Sequence, residues 1–272
     1  MLKIEELAYR SLIKEVELTP KPGLVDRNNN GSHKDMDIQT FYISSKAIKP
    51  FIGRFFDCGK KALHVEPEIL FENLREIGKE CEQEMFLATR GINTHKGMIF
   101  SFAVICGAIG RLKARCKTFK HKQLQGEIRD ICKNLVEKDL RDFEISKTGG
   151  EKLFRETKSA GIRDEAQNGY STIFQHSLPF YKSKEEIYGE EKALKLTLLF
   201  IMNIATDSNV FARGGVHAME FIKFKSKKLL DEVDIDNLDK KLIEFDKELI
   251  EKNLSAGGSA DLLCLTWFLS KI

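Results

Sequence analysis

The residues with the most chemical promise sit in a stretch that cannot be a regular helix. Residues 19–37 read Thr19-Pro-Lys-Pro-Gly-Leu-Val-Asp-Arg-Asn-Asn-Asn-Gly-Ser-His-Lys-Asp-Met-Asp37, and the prolines, glycines and asparagines all interrupt helical structure. Lys21, Arg27 and Lys34 are of the type that can meet phosphate oxygens, and Asp26, Asp35 and Asp37 of the type that can hold a divalent cation. In extended backbone Asp35 and Asp37 share a face, because side chains alternate. Magnesium on a nucleotide takes only one or two carboxylates, with phosphates and waters supplying the rest. Asp37 suits equally well the cap of a helix starting at Ile38. The stretch as a whole is too long and too mixed in charge for turn formation alone.

Further breaks carry similar chemistry. Thr89-Arg90-Gly-Ile-Asn-Thr94-His95-Lys96-Gly97 leads into an apolar run. With Thr94 as N-cap, the positive helix end beside His95 and Lys96 becomes an anion site; the plainer reading is a capped helix with exposed cations. Gly161-Ile-Arg163-Asp-Glu165 offers a base in Glu165, or merely a surface pair with Arg163. Asp207-Ser-Asn-Val-Phe-Ala-Arg213-Gly214-Gly215 supplies oxygen donors for a hard cation, and a guanidinium beside flexible backbone for a phosphate. Ser255-Ala-Gly-Gly-Ser-Ala-Asp261 opens the last apolar segment, where Ser259 and Asp261 also fit ordinary first-turn preferences. No Walker A pattern, dinucleotide fingerprint or zinc-peptidase pair is present, nor a nucleophile elbow. Polar glycine-bearing loops rich in Asp, Arg, Lys and His on apolar supports fit a phosphorylated, metal-associated ligand.

The supports are helical by their spacing. Ile4, Leu7, Ala8, Leu12 and Val16 form one stripe, and Leu70, Leu74, Ile77 and Cys81 another. Leu124, Ile128, Ile131 and Leu135 repeat the steps, as do Ile235, Leu238, Leu242, Phe245 and Leu249. Steps of three and four keep one helical face in the core, and no run alternates as a strand would. An all-α fold of roughly nine to twelve helices follows from the usual helix length. No linker or repeat divides the 272 residues, which predicts a single domain over 1–272. The charge-rich residues 223–239 read as a solvated helix end and its connection.

Composition excludes several classes. Forty-four basic against 41 acidic residues leave a net charge of +3, too slight for a nucleic-acid face. The apolar runs 98–110 and 194–205 are short for a bilayer and suit buried helices. The six cysteines lack metal or redox spacing, and Cys81, Cys106 and Cys132 lie among apolar residues as buried reduced thiols would. The first residues have no signal-peptide layout, and a reduced cytoplasmic protein is expected.

Taken together the polar blocks resemble a known family. Thr19-Pro-Lys-Pro-Gly-Leu-Val-Asp-Arg, then Gly31, His33 and Asp35-Met36, is similar to the signature of the triphosphoribosyl-dephospho-CoA synthases. The similarity continues through residues 90–97, Thr148-Gly-Gly-Glu151, Gly161-Ile-Arg163, Asp207-Ser-Asn-Val and Ser255 to Asp261. Asp164, Ala256 and Tyr170-Ser171 depart from the family's glycine, proline and aromatic-proline pair without altering the charged positions.

The resemblance implies transfer of the triphosphoribosyl group of ATP to the ribose 2′-hydroxyl of 3′-dephospho-CoA, with adenine leaving. The product is the prosthetic-group precursor of citrate lyase acyl carrier protein, or in close relatives of malonate decarboxylase. It implies magnesium as cofactor, and a partner transferase that passes the product to the acyl carrier protein. No nucleic-acid or membrane partner is implied, and a homodimer stays open. On this reading Lys21, Arg27, Arg90, Lys96, Arg163 and Arg213, with Gly214 and Gly215, contact phosphates. Asp35, Asp37, Asp207 and Asp261 attend the metal, Glu165 and then Asp26 serve as base, and His95 donates to a phosphate or to adenine. Alanine at Asp35 or Asp207 is then expected to abolish turnover with the fold intact. A helical ADP-ribosyl hydrolase-like enzyme, which would use water as nucleophile, is the alternative, and a nucleotide-sensing scaffold is the non-enzyme reading.

Overall fold

A computed structural model describes residues 3–140, 149–157, 159–232 and 234–272. Every element among the described residues is helical, with no strand. In chain order they are α1 (Ile4–Glu17), α2 (Ile38–Lys61), α3 (Pro67–Ala88), α4 (Lys96–Arg115), α5 (His121–Ile131), α6 (Leu135–Leu140) and α7 (Gly149–Thr157). After α8 (Ile162–Gln167) comes a π-helical turn (Thr172–Ser177), then α9 (Leu178–Tyr188), α10 (Glu190–Ile204), α11 (Ser208–Asp231), α12 (Leu238–Glu251) and α13 (Gly257–Ser270). The all-α expectation holds, with α6 and α8 short at 6 residues each. The stripe from Leu124 to Leu135 crosses from α5 into α6 through a turn at Asn134 (φ 60°). Ile235 precedes α12, and the described part of residues 223–239 takes in the end of α11, its connection and the first two residues of α12. The block Thr148–Glu151 begins outside the described residues, since Thr148 is not among them.

The chain divides into two compact units. The first takes the described residues of Met1–Arg10, Thr40–Asp142 and Ile162–Ser171. Its centre is α4, which packs against α3, α5 and α8 and is buried from Met98 to Leu112 with only Phe100 partly exposed. At 20 residues α4 is long and apolar enough to cross a membrane by length and composition; the run 98–110 alone is not. Most of it is covered by the protein, as in a core helix. Glycines let α2 approach its backbone: a Cβ on Gly59 would lie 1.9 Å from the Gly107 carbonyl oxygen, and one on Gly110 2.0 Å from that of Phe56.

The second unit takes Ser11–Gln39, the described residues of Phe143–Gly161, and Thr172–Ile272. Here α10 packs against α9, α11 and α13, and α13 is buried nearly all round from Ser259 to Leu269. Each unit thus packs amphipathic helices around a mostly apolar one, α4 in the first and α13 in the second, the arrangement that buries both kinds of surface. All six cysteines are free, and burial pushes Cys81 up to about 12, which makes it an inert packing group.

Candidate functional site: two polar clusters on helical supports

In the second unit the 19–37 segment is a compact loop built around Asp26. One of its carboxylate oxygens accepts the Lys21 N–H at 2.9 Å, and the other accepts those of Asn28 and Asn29 at 2.7 and 3.1 Å. Asp246 on α12 holds the loop from outside, accepting from Gly23 N–H and the Asn29 amide, both at 2.8 Å. The chain crosses itself at Gly31 (φ 54°), where any Cβ would meet Gly23 and Leu24 backbone at 2.6 Å. With both oxygens committed to backbone amides, Asp26 organises the loop and is poorly placed as a base.

Lys21 is buried at 2% exposure, and its ammonium is bound to the Glu15 carboxylate and to the Glu15 carbonyl oxygen. That pairing takes Lys21 away from the phosphate role its type invites. Arg27 is exposed and pairs with Glu17 at 2.6 Å. Asp35 and Asp37 are exposed, and Asp37 stands at the cap position before α2.

His33, given no role in the sequence reading, is where the loop meets the segment before α13. Its Nε2 lies 2.9 Å from Ser255 Oγ, its Nδ1 3.4 Å from Arg213 Nη2, and Asp35 is 3.7 Å away. Burial first, and then the Arg213 charge, lower its proton affinity, with Asp35 pulling it back. Arg213 also donates to the carbonyls of Ser32 and Asn253 and to the Asn253 side chain, at 2.9, 3.2 and 2.9 Å. It clasps two loops together. Gly215 (φ 65°, ψ −160°) follows as a kink inside α11, a conformation open only to glycine; Gly214 packs against Leu254 and Ala218.

Two helix N-termini meet next to this loop cluster. Asp207 caps α11 through Asn209 N–H (2.9 Å) and Val210 N–H (3.3 Å). Its second oxygen accepts from Ser259 N–H (2.8 Å) and Ser259 Oγ (3.0 Å) in the first turn of α13. The approach needs glycine on α13: a Cβ on Gly257 would lie 2.9 Å from the Asn209 amide, and one on Gly258 3.2 Å from the Asp207 carboxylate. Four donors fill Asp207, so it is a structural clasp with no oxygen left for a metal. Burial nevertheless raises its proton affinity. Asp261, one turn along and partly exposed, is raised well above the usual carboxylate range by burial and then by the charges of Glu15 and Asp207.

The first unit holds the remaining candidates. His95 is the N-cap of α4 but makes no side-chain cap bond; Thr94, expected to cap, donates to Ser44 at 2.6 Å. Lys96 pairs with Glu82 at 2.9 Å. Arg90 (φ 56°) is exposed, with no side-chain hydrogen bond or ion pair among the described residues. Arg163 and Arg75 grip the same carboxylate, Asp139, at 3.1 and 2.7 Å. Glu165 lies in α8 with its Oε2 buried. The sequence candidates therefore fall into two groups, one in each unit, and no three of His, Cys, Asp or Glu form a metal cluster among the described residues. Asp35 remains as a single carboxylate, enough for a metal that arrives with a triphosphate.

An all-helical frame with polar loops and two converging helix N-termini, its cations mostly engaged by protein groups already, does not fix a ligand or a reaction. The chain matches the CitG family, ATP:dephospho-CoA triphosphoribosyl transferase, over residues 1–272, and it belongs to that family. It is a transferase, and the family's reaction is triphosphoribosyl transfer onto dephospho-CoA. No solved structure matches it.

Proposed function

We propose that this chain joins C1 of the ribose of ATP to the ribose 2′-hydroxyl oxygen of 3′-dephospho-CoA and releases adenine. The observation that carries the reading is the family match over the whole chain. One C–N glycosidic bond breaks, one C–O bond forms, and the hydroxyl proton is balanced by protonation of the departing purine. A single displacement inverts the anomeric carbon, giving an α-linked product from β-linked ATP.

Such a transfer needs a proton acceptor, fixed triphosphate and relief of charge on an oxocarbenium-like ribose. Asp261, whose environment favours a bound proton, and Glu165 in α8 are the proposed acceptors. Arg90 is the proposed phosphate contact, since Lys21, Arg163 and Arg213 are already engaged by protein groups. Magnesium bound with the triphosphate would neutralise phosphate charge, with Asp35 as the carboxylate proposed to hold it. We place the activity in the cytoplasm, upstream of a transferase that loads the acyl carrier protein of citrate lyase or malonate decarboxylase.

The test is adenine release by chromatography from purified protein, ATP, magnesium and dephospho-CoA, omitting each in turn. Adenine only from the complete mixture, with a product heavier by triphosphoribose, supports the reading. Adenine without dephospho-CoA would point to a ribosyl hydrolase, and no adenine from folded, ATP-bound protein would sink the proposal.

A further inference from the structure

Past the Gly215 kink, α11 turns Ala218, Ile222 and Ser226 to the interior of the second unit, and its opposite side stands open. Phe224 is 67% exposed there. It sits at the centre of a row made by His217 (98% exposed), Glu220 (70%), Lys227, Lys228 (56%) and Asp231. These positions step by three and four, so they share one face over about four turns of helix. The fold makes little use of them. Lys227 and Asp231 have no side-chain hydrogen bond or ion pair among the described residues. His217 and Lys228 have only long contacts within their own helix, to Glu220 at 3.7 Å and to Glu232 at 4.0 Å.

A lone exposed phenylalanine needs no explanation; this one is set apart by the order of charges around it. In an antiparallel pair of these helices, with a two-fold axis at Phe224, the residue four places before 224 stands level with the residue four places after it on the other copy. Glu220 of one copy then meets Lys228 of the other, with Lys227 one residue's rise away, and His217 meets Asp231. The two Phe224 rings meet at the axis, where they bury each other. Symmetry makes every polar pair twice. A parallel pair would instead set Glu220 against Glu220 and Lys228 against Lys228, which repel.

We infer that the α11 face from His217 to Asp231 binds a second copy of this chain, antiparallel about a two-fold axis at Phe224. One flank of the face is held firm by α12, through Lys225 on Glu248 at 2.8 Å and Lys252 over the Phe221 ring at 5.1 Å. An interface built on one helix pair is at the small end for stable dimers, so the association depends on concentration. The inference does not rest on the proposed reaction.

Sedimentation velocity of the full chain across the micromolar range would test it, with mass expected to climb from one chain toward two. Phe224→Glu and Glu220→Lys should each raise the dissociation constant at least about tenfold, through loss of the aromatic anchor or through like charges set face to face. The decisive arm mixes Glu220→Lys with the double variant Lys227→Glu, Lys228→Glu. Each chain alone opposes like charges, but the mixed pair opposes unlike charges on both sides of the axis. The mixture should therefore dimerise where neither chain does by itself. All of these side chains are exposed, and an unchanged circular dichroism spectrum would show the variants folded.

A wild type that stays monomeric throughout would overturn the inference and leave the face to a different protein. A dimer that both Phe224→Glu and Glu220→Lys leave intact overturns it too, since another surface then holds the copies together. So does a charge-swapped mixture that associates no better than its separate chains.

Discussion

Asp207 distinguishes a clasp from a metal ligand, and alanine at this position separates the two. The substitution removes the acceptor for Asn209 and Val210 N–H at the start of α11 and for Ser259 N–H and Oγ on α13. A lost N-cap costs about 1 kcal/mol, and a stranded buried donor about 1–3 kcal/mol. Relief of the buried charge, whose proton affinity is raised in the fold, returns part of that. The net loss is about 2–4 kcal/mol, which for a chain of this size lowers the melting temperature by about 5–15 °C.

Thermal and urea unfolding of the wild type, Asp207→Ala and Asp207→Asn would measure it. The asparagine variant keeps one accepting oxygen and should lose about half as much. Asp35→Ala is the control: its side chain is 62% exposed, so its melting point should stay at the wild-type value. Asp207→Ala melting within about 2 °C of wild type would refute the clasp and restore Asp207 to the ligand-binding groups. The structure thus revises the expectation that alanine here would abolish turnover with the fold intact.

Lys21→Met should cost about 3–5 kcal/mol in urea unfolding, because it leaves the Glu15 carboxylate buried without its partner; Glu15→Gln in addition should recover most of the loss. Gly59→Ala sets a methyl 1.9 Å from the Gly107 carbonyl oxygen, and a fall in melting point equivalent to at least about 1–3 kcal/mol is expected, outweighing its better helix propensity. Arg90→Ala, on an exposed side chain with no ion pair among the described residues, should leave the melting point unchanged and raise KM for ATP roughly tenfold, the worth of one charged hydrogen bond. An unaltered KM would remove Arg90 from the site.

His33 gives the pH prediction: its proton affinity is lowered in the fold from the ordinary 6.5. The unfolded chain therefore binds the extra proton, and stability falls as pH drops through about 6.5 toward the folded value. His33→Gln should flatten that slope in melting curves, and an identical slope in the variant would exclude His33 as its source.

The all-α fold was legible because its evidence is redundant: each stripe of apolar residues at steps of three and four repeats the same statement. The segment 19–37 was legible as irregular for the same reason, since prolines and glycines restrict backbone wherever they fall. Thr94, Asp207 and Asp261 were harder. Each lies where an apolar helix begins, and helix N-termini select Ser, Thr, Asp, Asn and Gly for capping just as ligand loops select them for binding. Local composition cannot separate the two uses. Only the partners can, and the partner of Asp207 is 52 residues away at Ser259.

The same limit explains what went unseen. Glu15 falls inside the apolar stripe of α1, three residues after Leu12 and seven after Ala8, and Asp246 stands four after Leu242 and three before Leu249, so each is a carboxylate at a core spacing whose partner the sequence does not name. Glu15 matters because Lys21 folds back onto it, and Asp246 because it holds Gly23 and Asn29. Glu15 and Asp207 then raise the proton affinity of Asp261, a property no spacing in the sequence records. Lys21 pairs with Glu15 and four donors satisfy Asp207, while the Asp261 side chain has no hydrogen bond or ion pair among the described residues. Its raised proton affinity comes from burial and from charges brought from elsewhere in the chain, whereas Asp26 and Asp207 are spent on holding loops and helix ends together.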